Sequence, residues 1–235
     1  MFHLRPSNAR GLADFGWLDS KHTFSFGHYY DPSHMGFRNL RVINEDKVLP
    51  SKGFGTHGHR DMEIISYVIS GELAHKDSMN NGSTIRRGDV QRMSAGTGIQ
   101  HSEFNASSTE VVHFLQIWIL PDRVNHIPSY EERNFGTERQ NTLRLLVSGN
   151  EEADALHINA DIQLFGAELD AGSRVNHTLK LGRHGWIQII SGELKVTSGT
   201  VSHTLKSGDG IGLSEISSFV LEANSNCEFL VFDLP

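Results

Sequence analysis

The sequence predicts an all-β protein built as two tandem β-barrels with few short helices. Three observations carry this expectation. Short runs rich in β-branched and aromatic residues recur along the whole chain, separated by turn signals such as NNG at 80–82, SGT at 198–200 and SGD at 207–209. Helical periodicity is scarce. The pattern also repeats: YVISGEL at 67–73 matches QIISGEL at 188–194, and RRGDV at 86–90 matches KSGDG at 206–210. Gly71 and Gly192 lie 121 residues apart, and Gly88 and Gly208 lie 120 apart. A third pair of similar strings, HFLQIWILP at 113–121 and EFLVFDLP at 228–235, closes each copy. Three landmarks at nearly one offset mean two homologous halves, each of ordinary domain size.

The first half, residues 1–121, contains the runs FSFGHYY, LRVINEDKV, EIISYVISGELAHKD, STIRRGDVQRMSAG and VVHFLQIWIL. Residues 122–142 carry a proline and charges and read as a linker. The second half, residues 143–235, contains IQLFGAEL, RVNHTLKL, WIQIISGELKV, VSHTLKSGDGIGL, SFVLEA and CEFLVFDL. Many short strands at regular spacing are the mark of a sandwich or barrel.

Composition bounds the function. The chain has 235 residues, with 21 Lys and Arg against 28 Asp and Glu, a net charge of −7. No basic tract is present, so direct nucleic-acid binding is not expected. No run approaches the roughly 18 apolar residues of a membrane span. The start, MFHLRPSNARGLADFGW, lacks the charged and apolar regions of a signal peptide. A single cysteine, Cys227, excludes an internal disulfide and a cysteine-based zinc site. With no Lys, Arg or His beside it, it reads as a packing residue. A reducing, cytoplasmic location is expected. Two joined barrels need no partner to close their sheets, so a monomer is expected.

The stretch GFGTHGHRDMEIISYVISGEL at 53–73 holds two competing signals. GFGTHG spells a dinucleotide-type G-x-G-x-x-G, but such a loop must open a helix, and DMEIISYVIS is strand-like. In a strand, His57 and His59 face one side and converge on a point. His101 and Glu103 in MSAGTGIQHSEFN repeat that spacing on a second strand. Three imidazoles and one carboxylate suit iron, copper, zinc, nickel or manganese. Four donors leave positions open for water or substrate. Glu63 reads as an acceptor that orients an imidazole or, less favourably, as a fifth ligand. His75, His113, His184 and His203 have no partner at ligand spacing and read as surface or core residues. Phe54 and Phe104 read as core residues or, less often, as pocket lining. In the second copy the positions matching His101 and Glu103 are Leu221 and Ala223, and His177 stands near the first pair. The ligand set therefore occurs once.

The string H-x-H-x3-E, with Gly71, Gly88, Gly98, His101 and Asn105 after it, resembles the two-part cupin signature. One departure is Gly96, where the second motif usually has proline. The longer strings GWLDSKHTFSFGHYYDPSHMGFRNLRVINEDKV, GFGTHGHRDMEIISYVISGELAHKDS and MSAGTGIQHSEFN closely resemble the pirin family of bicupins, densely over residues 10–121 and more weakly beyond. The resemblance implies two cupin barrels, with one divalent metal in the first. It implies His57, His59, His101 and Glu103 as ligands and iron(II) as the metal, with copper, zinc, manganese, nickel or cobalt as alternatives. It further implies a quercetin 2,3-dioxygenase that opens a flavonol with O2 and releases carbon monoxide, with Glu103 as the base. An iron-dependent regulatory binding protein is the alternative the family also offers. An O2-independent cupin reaction such as isomerisation is a weaker third.

Overall fold

The computed structural model describes residues 1–150, 152 and 154–235. Apart from two short 3-10 turns at Ser7–Ala9 and Gly136–Arg139, its regular elements are all strands. In chain order they begin with β1 (Phe2–Arg5), β2 (Gly11–Asp14), β3 (Leu18–His22), β4 (Leu40–Val48), β5 (Gly53–His59), β6 (Glu63–Ser70), β7 (Glu72–Asp77) and β8 (Gly82–Arg86). Next come β9 (Asp89–Ser94), β10 (Ile99–Asn105), β11 (Val112–Ile119), β12 (Ser129–Asn134), β13 (Arg144–Ser148), β14 (Leu156–His157) and β15 (Gln163–Leu169). The chain ends with β16 (Arg174–Thr178), β17 (His184–Ser191), β18 (Glu193–Ser198), β19 (Val201–Lys206), β20 (Gly210–Leu213), β21 (Ser218–Ala223) and β22 (Cys227–Leu234).

The chain forms two compact units, each with its own pair of antiparallel sheets. The first unit comprises residues 11–136 and 156–160. Its larger sheet has the order β12-β9-β6-β11-β4-β3-β2, and its smaller one β5-β10-β7-β8. The second unit comprises residues 1–10, 137–155 and 161–235. It repeats the plan with β1-β20-β17-β22-β15-β13 and β16-β21-β18-β19.

The repeat seen in sequence is a repeat of backbone shape. Gly71 and Gly192 both have φ of +80°, each in the turn that leads into the SGEL strand. A Cβ at Gly71 would lie 2.7 Å from the Val111 carbonyl oxygen, and one at Gly192 would lie 2.1 Å from that of Asn226. Only glycine meets both the dihedral and the space.

Three expectations about elements need correction. Residues 24–30 form no strand: Phe26 and Tyr29 exchange both backbone bonds across a tight turn whose Gly27 has φ of +57°. The stretch 122–142 is more than a connector, because β12 pairs along its length with β9 and completes the larger sheet of the first unit. Its end, including buried Arg139, belongs to the second unit, where Arg139 pairs with Glu168 at 2.7 Å and Glu228 at 3.1 Å. The first ten residues were expected with the first half. Instead β1 pairs with β20, Phe2 opposite Leu213 and Arg5 opposite Gly210. A strand of four residues carries no address, so composition alone could not assign it.

The interiors differ. The second unit holds an apolar cluster that includes Leu194, Val196, Leu205, Phe219, Leu221, Ala223 and Phe229. Cys227 belongs to it, and burial pushes its thiol up to about 11, which keeps it protonated and inert. In the first unit apolar clusters lie at two levels, around Leu73, Ile85 and Phe114 and around Ile64, Met93 and Ile99. Apart from them lies a layer of buried polar side chains.

Candidate metal centre

β5 and β10 pair antiparallel, with His57 opposite His101 and His59 opposite Ile99. Between His101 and Glu103 the register slips, and Glu103 stands opposite Phe54. β5 thus holds an extra residue, a bulge that re-aims its side chains. His57 Nδ1 meets the carbonyl of Gly55, within that bulge, at 2.8 Å. A carbonyl only accepts, so Nδ1 carries the proton and Nε2 presents a lone pair. Gly53 is needed where β5 meets β10, since a Cβ there would lie 2.2 Å from the Glu103 carbonyl oxygen.

Three imidazoles meet at this point. His101 Nε2 is 3.0 Å from His57 Nε2 and 3.0 Å from His59 Nε2. One proton on His101 Nε2 serves only one of the two facing nitrogens, whereas a cation at their centre serves all three. A spacing of 3.0 Å is the edge between two ligands set at right angles about 2.1 Å from a common ion. Burial, followed by the neighbouring imidazoles, pushes His59 down to about 4 and His101 down to about 3. Both rings are neutral at physiological pH, the state a metal requires. The donor set therefore fits a divalent transition ion.

Glu103 is buried on the same strand as His101. It falls in a second cluster, with His101 and His75, whose ligand atoms lie within 4.8 Å of one another. Ser66 Oγ donates to its Oε1 at 3.2 Å, and Gln116 Nε2 donates to its Oε2 at 3.0 Å. Burial pushes Glu103 up to about 7, against the pull of these two donors. The carboxyl is thus poised to hold or release a proton near neutrality.

His75 sits across the strand pair from Glu103 and is buried. Its Nε2 is 3.3 Å from Asp77, and its ring stacks on Tyr130 at 4.9 Å. Asp77 lies two residues on along the same strand, a period-two pair that sequence spacing did show, whereas His101 and Tyr130 reach His75 from other strands. Trp118 was also missed; it packs edge-on to His59 at 5.1 Å. Glu63 needs correction. β5 ends at His59, and Asp61, with φ of +50°, turns the chain before β6 begins. Glu63 accepts from Ser94 Oγ at 2.7 Å and from Asn159, and reaches no imidazole. Phe54 packs on Trp17 at 5.3 Å and lines a cavity, while Phe104 is 41% exposed. His113 meets Glu45 at 2.9 Å, His184 meets Ser214 at 3.1 Å, and the His203 ring packs on Phe2 at 4.8 Å.

The second unit shows what the fold looks like without donors. In the β16–β21 pair, Val175 faces Leu221 and His177 faces Phe219. These are the registers of His57 with His101 and of His59 with Ile99, shifted by the repeat. Only His177 survives as a nitrogen donor, and it lies 3.4 Å from Asp233.

Comparison with known proteins agrees with this geometry. The family model described as Pirin matches residues 4–119, and that described as Quercetinase C-terminal cupin domain matches residues 145–234. The chain is 42% identical to a quercetin 2,3-dioxygenase of Escherichia coli strain K12, over 100% of this chain and 99% of the relative. It is 37% identical to a pirin-like protein of Caulobacter vibrioides, over 99% of each. Among solved structures it resembles the E. coli bacterial pirin YhhW in complex with nickel(II), with a TM-score of 0.94, 42% identity and coverage of 100% and 99%. With family models matched across both halves and full-length relatives above 30% identity, the chain belongs to the pirin family, as a bicupin.

Proposed function

We propose that the protein is a metal-dependent flavonol 2,3-dioxygenase of the quercetinase type. One observation carries this reading: three imidazoles converge on one point beside a buried carboxyl from the same strand as His101. The name of the E. coli relative supports the substrate class. His57, His59 and His101 would hold the ion, with Glu103 completing the set, and iron(II) is the ion proposed. Such an ion supplies a Lewis-acidic point where a flavonol and dioxygen can meet.

The chain's own residues do the rest. Glu103 accepts the proton of the flavonol 3-hydroxyl, which leaves an electron-rich flavonolate. Ser66 and Gln116 hold the carboxylate in place and limit how far burial raises it. Trp118 walls one side of His59 with an apolar ring that helps exclude water. Both atoms of dioxygen enter the products, the ring opens, and one ring carbon leaves as carbon monoxide with a depside ester as co-product.

The test is anaerobic reconstitution with iron(II), followed by quercetin and air, with flavonol absorbance and carbon monoxide both followed. Turnover in the parent protein and its loss in Glu103→Gln supports the reading. No turnover at full loading with iron, copper, manganese, cobalt or nickel overturns it in favour of a regulatory metal-binding protein.

A further inference from the structure

A second row of polar side chains crosses the larger sheet of the first unit. Ser66 on β6 faces Gln116 on β11, Gln116 faces Asn44 on β4, and Asn44 faces His22 on β3. Directly opposed residues share a face, so all four project together. The Ser66 and Gln116 end holds Glu103. The Asn44 and His22 end does not, and it opens on a cavity of about 470 Å³. Asp46, two residues along β4, lines the same cavity and is bonded by Ser20 from β3.

These groups are buried but not satisfied. Asn44 is 3% exposed, His22 4% and Asp46 4%. Asn44 Oδ1 and His22 Nδ1 have no hydrogen-bond partner in the protein. Asp46, which burial pushes up to about 7, has one side-chain donor, Ser20, for its two carboxyl oxygens. A buried polar atom left unmatched costs stability, so two such atoms beside an under-bonded carboxyl point to a ligand that donates. The rest of the lining is largely aromatic and apolar, with Phe15, Leu18, Phe26, Tyr29 and Phe54 beside His28. Phe26 packs edge-on to Trp118 at 5.3 Å, which places the cavity one ring beyond the wall of His59. Asn44 stands one strand spacing, about 5 Å, from Gln116.

We propose that this cavity is a recognition subsite for a hydroxyl-bearing aromatic ring, with Asp46 and Asn44 accepting from its phenolic hydroxyls. It would receive the ring of a polyphenol remote from the bond that is opened. The assignment rests on the flavonol reading above and deepens it: the row from His22 to Ser66 measures one substrate from its recognised ring to its reacting end. A ring hydroxyl can donate to the Asp46 carboxyl and to Asn44 Oδ1, whereas a ring carboxylate would offer these oxygens no proton.

Two flavonols separate the roles. Quercetin carries hydroxyls on both outer rings; 3-hydroxyflavone keeps the 3-hydroxyl and 4-carbonyl and lacks every other hydroxyl. With iron-loaded protein, Asp46→Asn and Asn44→Leu should raise KM for quercetin about five- to tenfold and leave KM for 3-hydroxyflavone unchanged. Equal losses on both flavonols would show a structural role and overturn the subsite, as would no change on either. If the parent protein turns over neither flavonol, the dioxygenase reading fails by itself. Anaerobic fluorescence titration then reads the subsite directly. Weaker quercetin binding in both variants, with 3-hydroxyflavone binding unchanged, upholds it, and unchanged quercetin binding rejects it.

Discussion

At the scale of single residues, the proposed centre separates holding a metal from moving a proton. His57, His59 and His101 supply the nitrogens, so His101→Ala should drop metal content well below one ion per chain by elemental analysis. Glu103→Gln keeps those nitrogens. It should stay metal-loaded while flavonol consumption falls at least about a hundredfold, the ordinary worth of a positioned base. Gln116→Leu removes a donor that pulls Glu103 down, so the acid limb of the kcat profile should move to higher pH. The metal-free protein has its own pH signature. His59 and His101 titrate lower in the folded chain than in the unfolded one, where the value is 6.5. The unfolded state therefore binds more protons below that value, and stability is lost as pH falls from about 6.5 toward 4. Urea midpoints measured across that range should decline, and His101→Ala should flatten the slope.

At the scale of elements, periodicity and register carry different amounts of information. Alternation along one strand was legible: His57 with His59, and His101 with Glu103, are each a period-two pair. The repeat offset correctly matched His101 to Leu221, now found in the apolar cluster of the second unit. What lay across strands was not legible. His75 beside Glu103, and the row from Ser66 to His22, depend on pairing register that no single strand encodes. Glu63 misled because an unbroken count of four from His59 ignored the turn at Asp61. Gly96, the departure from the cupin signature, has a physical reason. Its φ is +44°, and a Cβ would lie 2.0 Å from the His126 carbonyl oxygen. Proline requires φ near −65°. Gly96→Pro, which restores the common motif, should cost about 3 kcal/mol or more by chemical denaturation.

At the scale of the whole molecule, one architecture is used twice and its chemistry once. The second unit is closed by apolar packing where the first carries donors, so its stability should not depend on metal. Hydrogen exchange with and without a chelator should show faster exchange in β5 and β10 once the ion is removed, and no change in β16 and β21. The two units also cannot be separated by cutting at residue 122 or 142, since β1 belongs to the later one. A chain lacking Met1–Arg10 should lose stability through the bare edge of β20, measured as a lower unfolding midpoint. That same strand sets a clock on synthesis. Arg5 waits for Gly210, 205 residues downstream. At about 5–20 residues per second the wait is roughly 10–40 s, during which the first unit can fold and β1 remains a loose leader at the ribosome. All four proposed metal ligands are synthesised long before β1 meets its partner strand.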